Sequence, residues 1–272
     1  MKLSVLPVSY FKAIMSGEMT IGEWAREGVE LGLDAVDISI LFFNKRDAVF
    51  LSQFRKDVEK EGITVFGSST YPDFTHPDPD ERERQKQQII EDLGVLAAVG
   101  TKVARVTAGQ GHPGIDREEG IKWAVEGLMT AQEAAEKNGM TVVFENHAKP
   151  GVWEYPDFDF PTENFLAIAD RIKDTPIQIQ FDTANPIAFG DDPLPILDKV
   201  MDRILVVHAS DTGVRGSLEP VVIGTGLVPY QDIFSRLKES GYDKWISIEE
   251  ASGKGKEGVR RAVDFVKKTW EQ

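Results

Sequence analysis

The chain has 272 residues, of which 41% are hydrophobic, enough for a large buried core. It carries 45 acidic and 31 basic residues, and the resulting charge of −14 opposes binding to a nucleic-acid backbone; without cysteine it has neither disulfides nor thiolate chemistry. The N-terminal apolar run is too short for a signal peptide and no later run approaches the length of a membrane span, so we expect a cytoplasmic protein with no membrane partner.

The first half of the chain alternates short apolar runs with amphipathic segments. Strands are predicted at residues 3–6, 35–40, 63–68 and 102–107. Helices are predicted at residues 20–31, 47–61, 78–99 and 116–138. Glycine follows most of these helices, and it takes the left-handed conformation after a last helical turn at low cost. The pattern is typical of repeated strand-loop-helix units.

The second half continues the same pattern. Strands are predicted at residues 141–147, 177–182, 204–208 and 245–249. Helices are predicted from Thr162, over 194–201, from Pro229 to Gly241 and from about Glu257. Eight such units require parallel strands joined by right-handed crossovers. We predict a (β/α)8 TIM barrel that forms one α/β domain over residues 1–272, with a doubly wound open sheet as the alternative.

Four consecutive predicted strands end in residues that commonly bind metals. These residues are Glu145, Asp182, His208 and Glu249. In a closed barrel they converge, whereas in a flat sheet the outer two strands would lie about 14 Å apart. Each residue alone is more simply a polar strand end facing water, but four in succession indicate one divalent metal ion. Three carboxylates and an imidazole suit Mn2+ first, then Mg2+ or Co2+, with Zn2+ also possible.

Several motifs resemble those of one known superfamily. They are Glu145-Asn146 after the fifth strand, the D-x-x-N pattern of residues 182–185, His208, and the closing GTGLVPYQDIFSRLKESGYDKWISIEE of residues 224–250, in which Lys244 stands where glycine is usual. The sequence is similar to the xylose-isomerase-like (AP endonuclease family 2) sugar phosphate isomerases and epimerases. That superfamily also contains keto-inositol dehydratases, hydroxypyruvate isomerases and apurinic-site endonucleases.

The resemblance implies an enzyme and assigns roles to the four residues. All four would hold the metal, and Glu145 and Glu249 would also move protons as the catalytic residues. The implied activity is isomerisation or epimerisation of a keto-sugar or related polyol through an enediolate. A metal-dependent lyase that dehydrates a keto-inositol or keto-sugar is the alternative within enzymes. A non-catalytic sugar-binding relative is a third hypothesis, although its usual sign would be a degraded ligand set.

The chain departs from two of the superfamily's subgroups. Ketose 3-epimerases carry histidine and arginine at the positions of Asn185 and Val214, with Arg215 one place further here, so Asn185 and Arg215 are our candidates for those substrate contacts. Endonuclease members use many more histidine and aspartate ligands, whereas this chain has four histidines. We therefore expect a small carbohydrate substrate rather than nucleic acid.

Strand alternation suggests further substrate contacts. His147, and Lys149 if the strand geometry persists, face the same side as Glu145. Arg105 faces the barrel interior, where we expect Asp37 to pair with it, with substrate contact as the alternative.

The loops at the same end of the barrel suggest two more features. Trp153 lies in an aromatic loop that could wall a sugar. That loop could equally be a packed lid or a contact between copies in a homo-oligomer. The turn at residues 224–226 is either a plain turn or a phosphate cradle.

Overall fold

The computed structural model describes residues 1–149 and 151–272, and within them eight parallel strands form one sheet. The strands are β1 (Lys2–Leu6), β2 (Val36–Ser39), β3 (Val65–Ser69), β4 (Val103–Val106), β5 (Thr141–Glu145), β6 (Gln178–Asp182), β7 (Ile204–Ala209) and β8 (Trp245–Glu249). The hydrogen-bonded order is β1-β8-β7-β6-β5-β4-β3-β2, so each strand lies beside its neighbours in sequence.

The two ends of this sheet meet and nearly close it. The amide of Asp34, just before β2, donates to the carbonyl of Leu3 in β1 at 2.9 Å, and Oδ2 of Asp34 accepts from the amide of Leu3 at 2.8 Å. An open doubly wound sheet would leave its outermost strands far apart. The predicted TIM barrel is confirmed, and the open-sheet alternative is wrong.

Ten α-helices accompany the strands in the described part of the chain. They are α1 (Phe11–Ser16), α2 (Ile21–Glu30), α3 (Ala48–Glu59), α4 (Pro79–Ala98), α5 (Arg117–Lys137), α6 (Thr162–Arg171), α7 (Asn185–Phe189), α8 (Pro193–Val200), α9 (Tyr230–Glu239) and α10 (Gly255–Glu271). Eight of them are the predicted crossover helices. The other two, α1 and α7, are short helices inside the loops that follow β1 and β6, where the sequence analysis placed no helix.

Side-chain caps fix the starts of several crossover helices. The hydroxyl of Thr20 accepts from the amide of Glu23 at 3.2 Å, and the Glu23 carboxylate accepts from the amide of Thr20 at 2.7 Å, so α2 begins with a capping box. Asp47 and Asp116 accept from amides in the first turns of α3 and α5. Such caps satisfy amides that have no partner within the helix.

The barrel interior is apolar at one end and polar at the other. Near the N-terminal ends of the strands, Phe66 stacks on Trp245 with the ring centroids 3.7 Å apart, and Val143 and Val206 pack beside them. This apolar layer fills the bottom of the barrel, and the polar groups lie at the carboxyl ends of the strands. None of the described helices combines the length and the apolar character needed to cross a membrane.

Candidate metal centre and active-site cavity

Four carboxylate and imidazole side chains meet at the carboxyl ends of neighbouring strands. Glu145, Asp182 and Glu249 are the last residues of β5, β6 and β8. His208 lies one residue before the end of β7 and is the partner of Asp182 in the β6–β7 ladder. One ligand atom from each of the four lies within 4.8 Å of the others. The structure thus brings the whole predicted ligand set together.

His208 stands at the centre of this cluster. Its Nδ1 atom lies 2.5 Å from Oε1 of Glu145 and 3.0 Å from Oε2 of Glu249. Oδ2 of Asp182 is farther from the same nitrogen, at 3.8 Å. Three acidic side chains this close repel one another unless protons or a cation share the space.

The pKa values of the ligands reflect that repulsion. Burial, and after it the charges of Glu145 and Glu249, raise the pKa of Asp182 to about 7. Burial alone would lower the pKa of His208, but Glu145 and Glu249 outweigh it and raise that pKa to about 9. Without a cation, the cluster therefore retains protons at neutral pH to offset its negative charge.

The donor set fits a divalent cation. Oε2 of Glu145 is buried and has no hydrogen-bond partner within residues 1–149 and 151–272, although the Arg105 guanidinium lies 3.3 Å away. The Glu145 carboxylate thus retains an unused acceptor position for an ion. Three oxygen-donating side chains and one nitrogen donor suit a moderately hard ion such as Mn2+, Mg2+ or Co2+, and Zn2+ also accepts this set. A cation would replace the shared protons as the counter-charge.

Two asparagine side chains connect the ends of β5 and β6 through hydrogen bonds to the backbone. Nδ2 of Asn146 donates to the carbonyl of Asp182 at 2.9 Å, and Oδ1 of Asn146 accepts from the amide of Asp182 at 2.8 Å. Nδ2 of Asn185 donates to the carbonyl of Asn146 at 3.1 Å. Ser210 donates to both oxygens of the Asp182 carboxylate, at 2.8 and 2.7 Å. These bonds fix the ends of β5 and β6 and orient Asp182.

The predicted ion pair between Arg105 and Asp37 is wrong. Nε of Arg105 lies 3.3 Å from Oε2 of Glu145 instead, and its guanidinium lies over the Tyr71 ring, 4.8 Å from the centroid. Asp37 accepts hydrogen bonds from the hydroxyls of Ser4 and Ser247, at 2.7 and 2.5 Å. The Asp37 carboxylate is therefore satisfied without a cation.

The depth of each residue in the barrel accounts for this error. Oδ1 of Asp37 accepts from the amide of Gly67 at 2.7 Å, so the carboxylate lies at the level of Gly67. Gly67 pairs with Val103 in the β3–β4 ladder, two residues before Arg105. Arg105 therefore lies one layer nearer the carboxyl ends of the strands, level with the ligands. Strand alternation predicted the correct face but not the correct layer.

A cavity of about 440 Å³ opens above the ligand cluster. Its polar lining includes Asp182, Glu249, Arg105, His147, Lys149 and Asn185, and its apolar lining includes Phe11, Met15, Leu41, Val152 and Leu218. The two glutamates differ in access, because Glu145 is fully buried whereas the Glu249 side chain is 25% exposed. Glu249 is thus the glutamate that faces a molecule in the cavity.

His147 reaches the cavity from just beyond β5. Its Nδ1 atom lies 3.3 Å from Oδ2 of the buried Asp157, and its ring meets the Trp153 ring edge-on at 6.4 Å. Burial, and after it the Arg105 charge, lower the pKa of His147 to about 3, so its imidazole is neutral at pH 7. A neutral imidazole that contacts a carboxylate in this way is held in one orientation.

Lys149, which also lines the cavity, donates a hydrogen bond to the carbonyl of Glu154 at 2.8 Å.

The remaining sequence candidates lie elsewhere. Arg215 donates to the carbonyls of Gly190 and Asp191, at 3.2 and 2.8 Å, and it does not line the cavity in the described part of the chain. At residues 224–226, the amides of both glycines donate to Oδ2 of Asp211 at 2.9 Å. An aspartate occupies the position that a phosphate would take, which favours the plain turn.

No role in the site was predicted for Asn146, Ser210 or Asp157. Ser210 had a usable signal, because it follows His208 by two residues and alternation places both on one face. No sequence pattern could have indicated Asp157, since its loop has no periodicity and only the folded structure brings it to His147.

A nearly closed parallel barrel with this ligand set at its C-terminal face is a TIM barrel with a candidate metal centre. The model of the xylose isomerase-like TIM barrel family matches residues 25–269, and the chain belongs to that family. Inosose dehydratase from Lacticaseibacillus casei is 27% identical over 198 residues, which cover 61% of this chain and 63% of that enzyme. The matched region therefore spans less than two thirds of that relative's length.

Solved structures share the fold at lower identity. D-psicose 3-epimerase from Clostridium cellulolyticum H10, solved with D-tagatose, superposes with a TM-score of 0.76 at 15% identity and covers 99% of both chains. The IOLI protein with a binding zinc atom gives a TM-score of 0.76 at 18% identity and covers 99% of this chain and 96% of that one. At these identities the likeness concerns the fold.

Proposed function

We propose that this protein is a divalent-metal-dependent enzyme that isomerises or epimerises a keto-sugar or related polyol through an enediolate. The observation that carries the proposal is the intact set of three carboxylates and one imidazole opening into a 440 Å³ cavity. Glu145, Asp182, His208 and Glu249 would hold the ion. When bound, the ion would supply Lewis-acid polarisation of a carbonyl and stabilisation of the charge that develops on its oxygen.

The two glutamates divide the proton transfers in this proposal. The Glu249 carboxylate, on the cavity side, removes the proton from the carbon next to the substrate carbonyl. Because Glu145 ends β5 and Glu249 ends β8, they approach a bound molecule from different sides. A proton returned to the neighbouring carbon gives the isomer, and one returned to the opposite face of the same carbon gives the epimer.

The other polar residues would orient the substrate. We assign hydroxyl contacts to His147, Asn185 and Lys149, which line the cavity. The Arg105 guanidinium also lines it, and its Nη1 atom has no hydrogen-bond partner within the described residues, so it can donate to a substrate oxygen. Trp153 would act through His147, against which it packs. Arg215 would reach substrate only if it left its present carbonyl partners.

Dehydration is the second candidate, and it begins with the same proton removal. The enediolate then expels a hydroxide from the next carbon, and an acid in the cavity must protonate that leaving group to release water. Lys149 lines the cavity and is our candidate for that acid. The similarity to inosose dehydratases also supports this candidate.

One screen tests both candidates. Keto-sugars and keto-inositols are incubated with the protein and Mn2+, and NMR follows the products. A product of unchanged mass with a shifted carbonyl or an inverted carbon indicates isomerisation or epimerisation, and loss of water indicates dehydration. We expect at least one substrate to be converted by the parent and not by Asp182→Asn. Conversion at an equal rate by Asp182→Asn would contradict a role for the metal centre.

A further inference from the structure

A second group of metal-type side chains lies on the same face of the barrel. We call Asp73, His76 and His112 the outer cluster. One ligand atom from each lies within 4.8 Å of the others. Asp73 and His76 belong to the loop after β3, and His112 to the loop after β4. The outer cluster shares no residue with the strand-end ligand set, and its members do not line the 440 Å³ cavity within the described residues.

The outer cluster has a different donor chemistry from the strand-end set. It offers two imidazole nitrogens and one carboxylate oxygen, a combination typical of zinc sites that keep a fourth position open. Nε2 of His112 lies 2.7 Å from Oδ2 of Asp73, and the His76 and His112 rings meet edge-on with centroids 4.8 Å apart. Two histidines on separate loops thus converge on one buried carboxylate.

A surrounding set of hydrogen bonds already orients that carboxylate. Oδ1 of Asp73 accepts from the amide of Gln110 at 2.9 Å, and Oδ2 accepts from Nε2 of Gln110 at 3.0 Å. Partners of this kind hold metal-binding carboxylates in place and are as much part of a site as the ligands. In the absence of a metal, the contacts with His112 and Gln110 hold the Asp73 carboxylate in place.

Gln110 connects the outer cluster to the loop that borders the cavity. Its Oε1 atom accepts from the amides of Glu154 and Tyr155, at 2.9 and 3.1 Å. The Tyr155 ring also lies 5.3 Å from the His112 ring. Lys149 is tied to the same segment through the Glu154 carbonyl. Direct contacts thus link Asp73 to residues beside the cavity.

We propose that the outer cluster is a second divalent-metal site, selective for zinc-type ions, which holds the Glu154–Tyr155 segment against the barrel. It is structural in role, since none of its ligands borders the cavity. It does not depend on the enzyme activity proposed above, because the two ligand sets are separate.

Metal stoichiometry tests this site. The full-length protein is stripped with a chelator, dialysed against Zn2+, and measured by elemental analysis. We expect two ions per chain in the parent, one in His76→Gln, one in His112→Gln, one in Asp182→Asn, and none when His112→Gln and Asp182→Asn are combined. Asp73→Asn should likewise hold one ion. Its matched control is Asp80→Asn, which changes an exposed carboxylate in the first turn of α4 and should retain two ions.

A second measurement separates this site from a plain histidine–aspartate hydrogen bond. Amide hydrogen exchange at Glu154 and Tyr155 should slow when Zn2+ is added to Asp182→Asn, and Zn2+ should have no such effect once His112→Gln is also present. One ion in the parent, or two ions in both histidine variants, would overturn the proposal even if Asp73→Asn failed to fold.

Discussion

Arg105 and Glu145 form a buried ion pair at the top of the barrel, with Nε of the arginine 3.3 Å from Oε2 of the glutamate. The pair does not have hydrogen-bond geometry, since both atoms lack a hydrogen-bond partner in the part of the chain that the structure describes. Its contribution is electrostatic: burial would raise the pKa of Glu145, but the His208 and Arg105 charges hold it below its usual value. Arg105 thus helps to keep a proposed catalytic carboxylate ionised.

The ion pair gives a stability prediction. Arg105→Met should lower the free energy of unfolding of the metal-free protein by about 3–5 kcal/mol, because it leaves Glu145 as a buried charge without this partner. Urea denaturation of Arg105→Met, Glu145→Gln and the double variant should show a coupling of roughly 0.5–3 kcal/mol. Asp37→Asn is the control, since Asp37 bonds to serines; its effect should add to that of Arg105→Met within about 0.5 kcal/mol. A larger coupling between Asp37 and Arg105 would indicate that these two side chains form an ion pair, contrary to the structure.

Metal binding should stabilise the protein. At a Mn2+ concentration about 100 times the Kd, the free energy of unfolding should rise by about 2.7 kcal/mol, because the ion binds the folded state. Asp182→Asn should lose most of this gain. Asp198→Asn, which removes a surface partner of Arg236, should keep it. Equal stabilisation of the parent and Asp182→Asn would place the ion elsewhere.

Asn146 should matter for the metal although it is not a ligand. Its side chain makes two hydrogen bonds to the backbone of Asp182, so Asn146→Ala should weaken Mn2+ binding about 10–100-fold, as for other groups that orient ligands. Titration calorimetry measures the change. Asn138→Ala removes a side chain that bonds to the Ala134 carbonyl at the end of α5, before β5 begins, and it should leave the affinity unchanged. An unaltered Kd in Asn146→Ala would show that the end of β6 is ordered without the two Asn146 hydrogen bonds.

Alanine substitutions at two helix glycines should have opposite effects on the stability of the fold. A Cβ at Gly127 in α5 would lie 2.1 Å from the buried Phe74 ring, whereas one at Gly94 in α4 would meet nothing within 4 Å. Gly127→Ala should therefore destabilise the fold by about 1–3 kcal/mol through overpacking. Gly94→Ala should stabilise it by up to about 1 kcal/mol, because alanine is the better helix former. Thermal denaturation of both variants checks the sign of each change in stability. Stabilisation by Gly127→Ala would mean that the Phe74 ring can move aside without cost.

Local patterns predicted the fold and the ligand set because both follow from periodicity. Alternation along β5 to β8, together with one helix per interval, placed Glu145 and Asp182 at the same end of the barrel. Alternation could not predict how deep in the barrel each side chain lies, because that depends on the stagger between strands. The predicted partner of Arg105 was therefore wrong. Alternation also could not predict that Asp157 would support His147, or that α7 would follow β6, since both depend on how loops pack over the finished barrel.

The most direct test of the proposed chemistry is deuterium exchange at the carbon next to the substrate carbonyl. A substrate from the screen is incubated in D2O with Glu145→Gln, Glu249→Gln or His147→Asn at matched metal content, and NMR follows deuterium incorporation. We expect Glu249→Gln to abolish exchange, Glu145→Gln to impair exchange or product formation severely, and His147→Asn to retain exchange with weaker substrate binding. Exchange near the parent rate in both glutamine variants, with none in His147→Asn, would contradict the assignment of proton transfer to the glutamates.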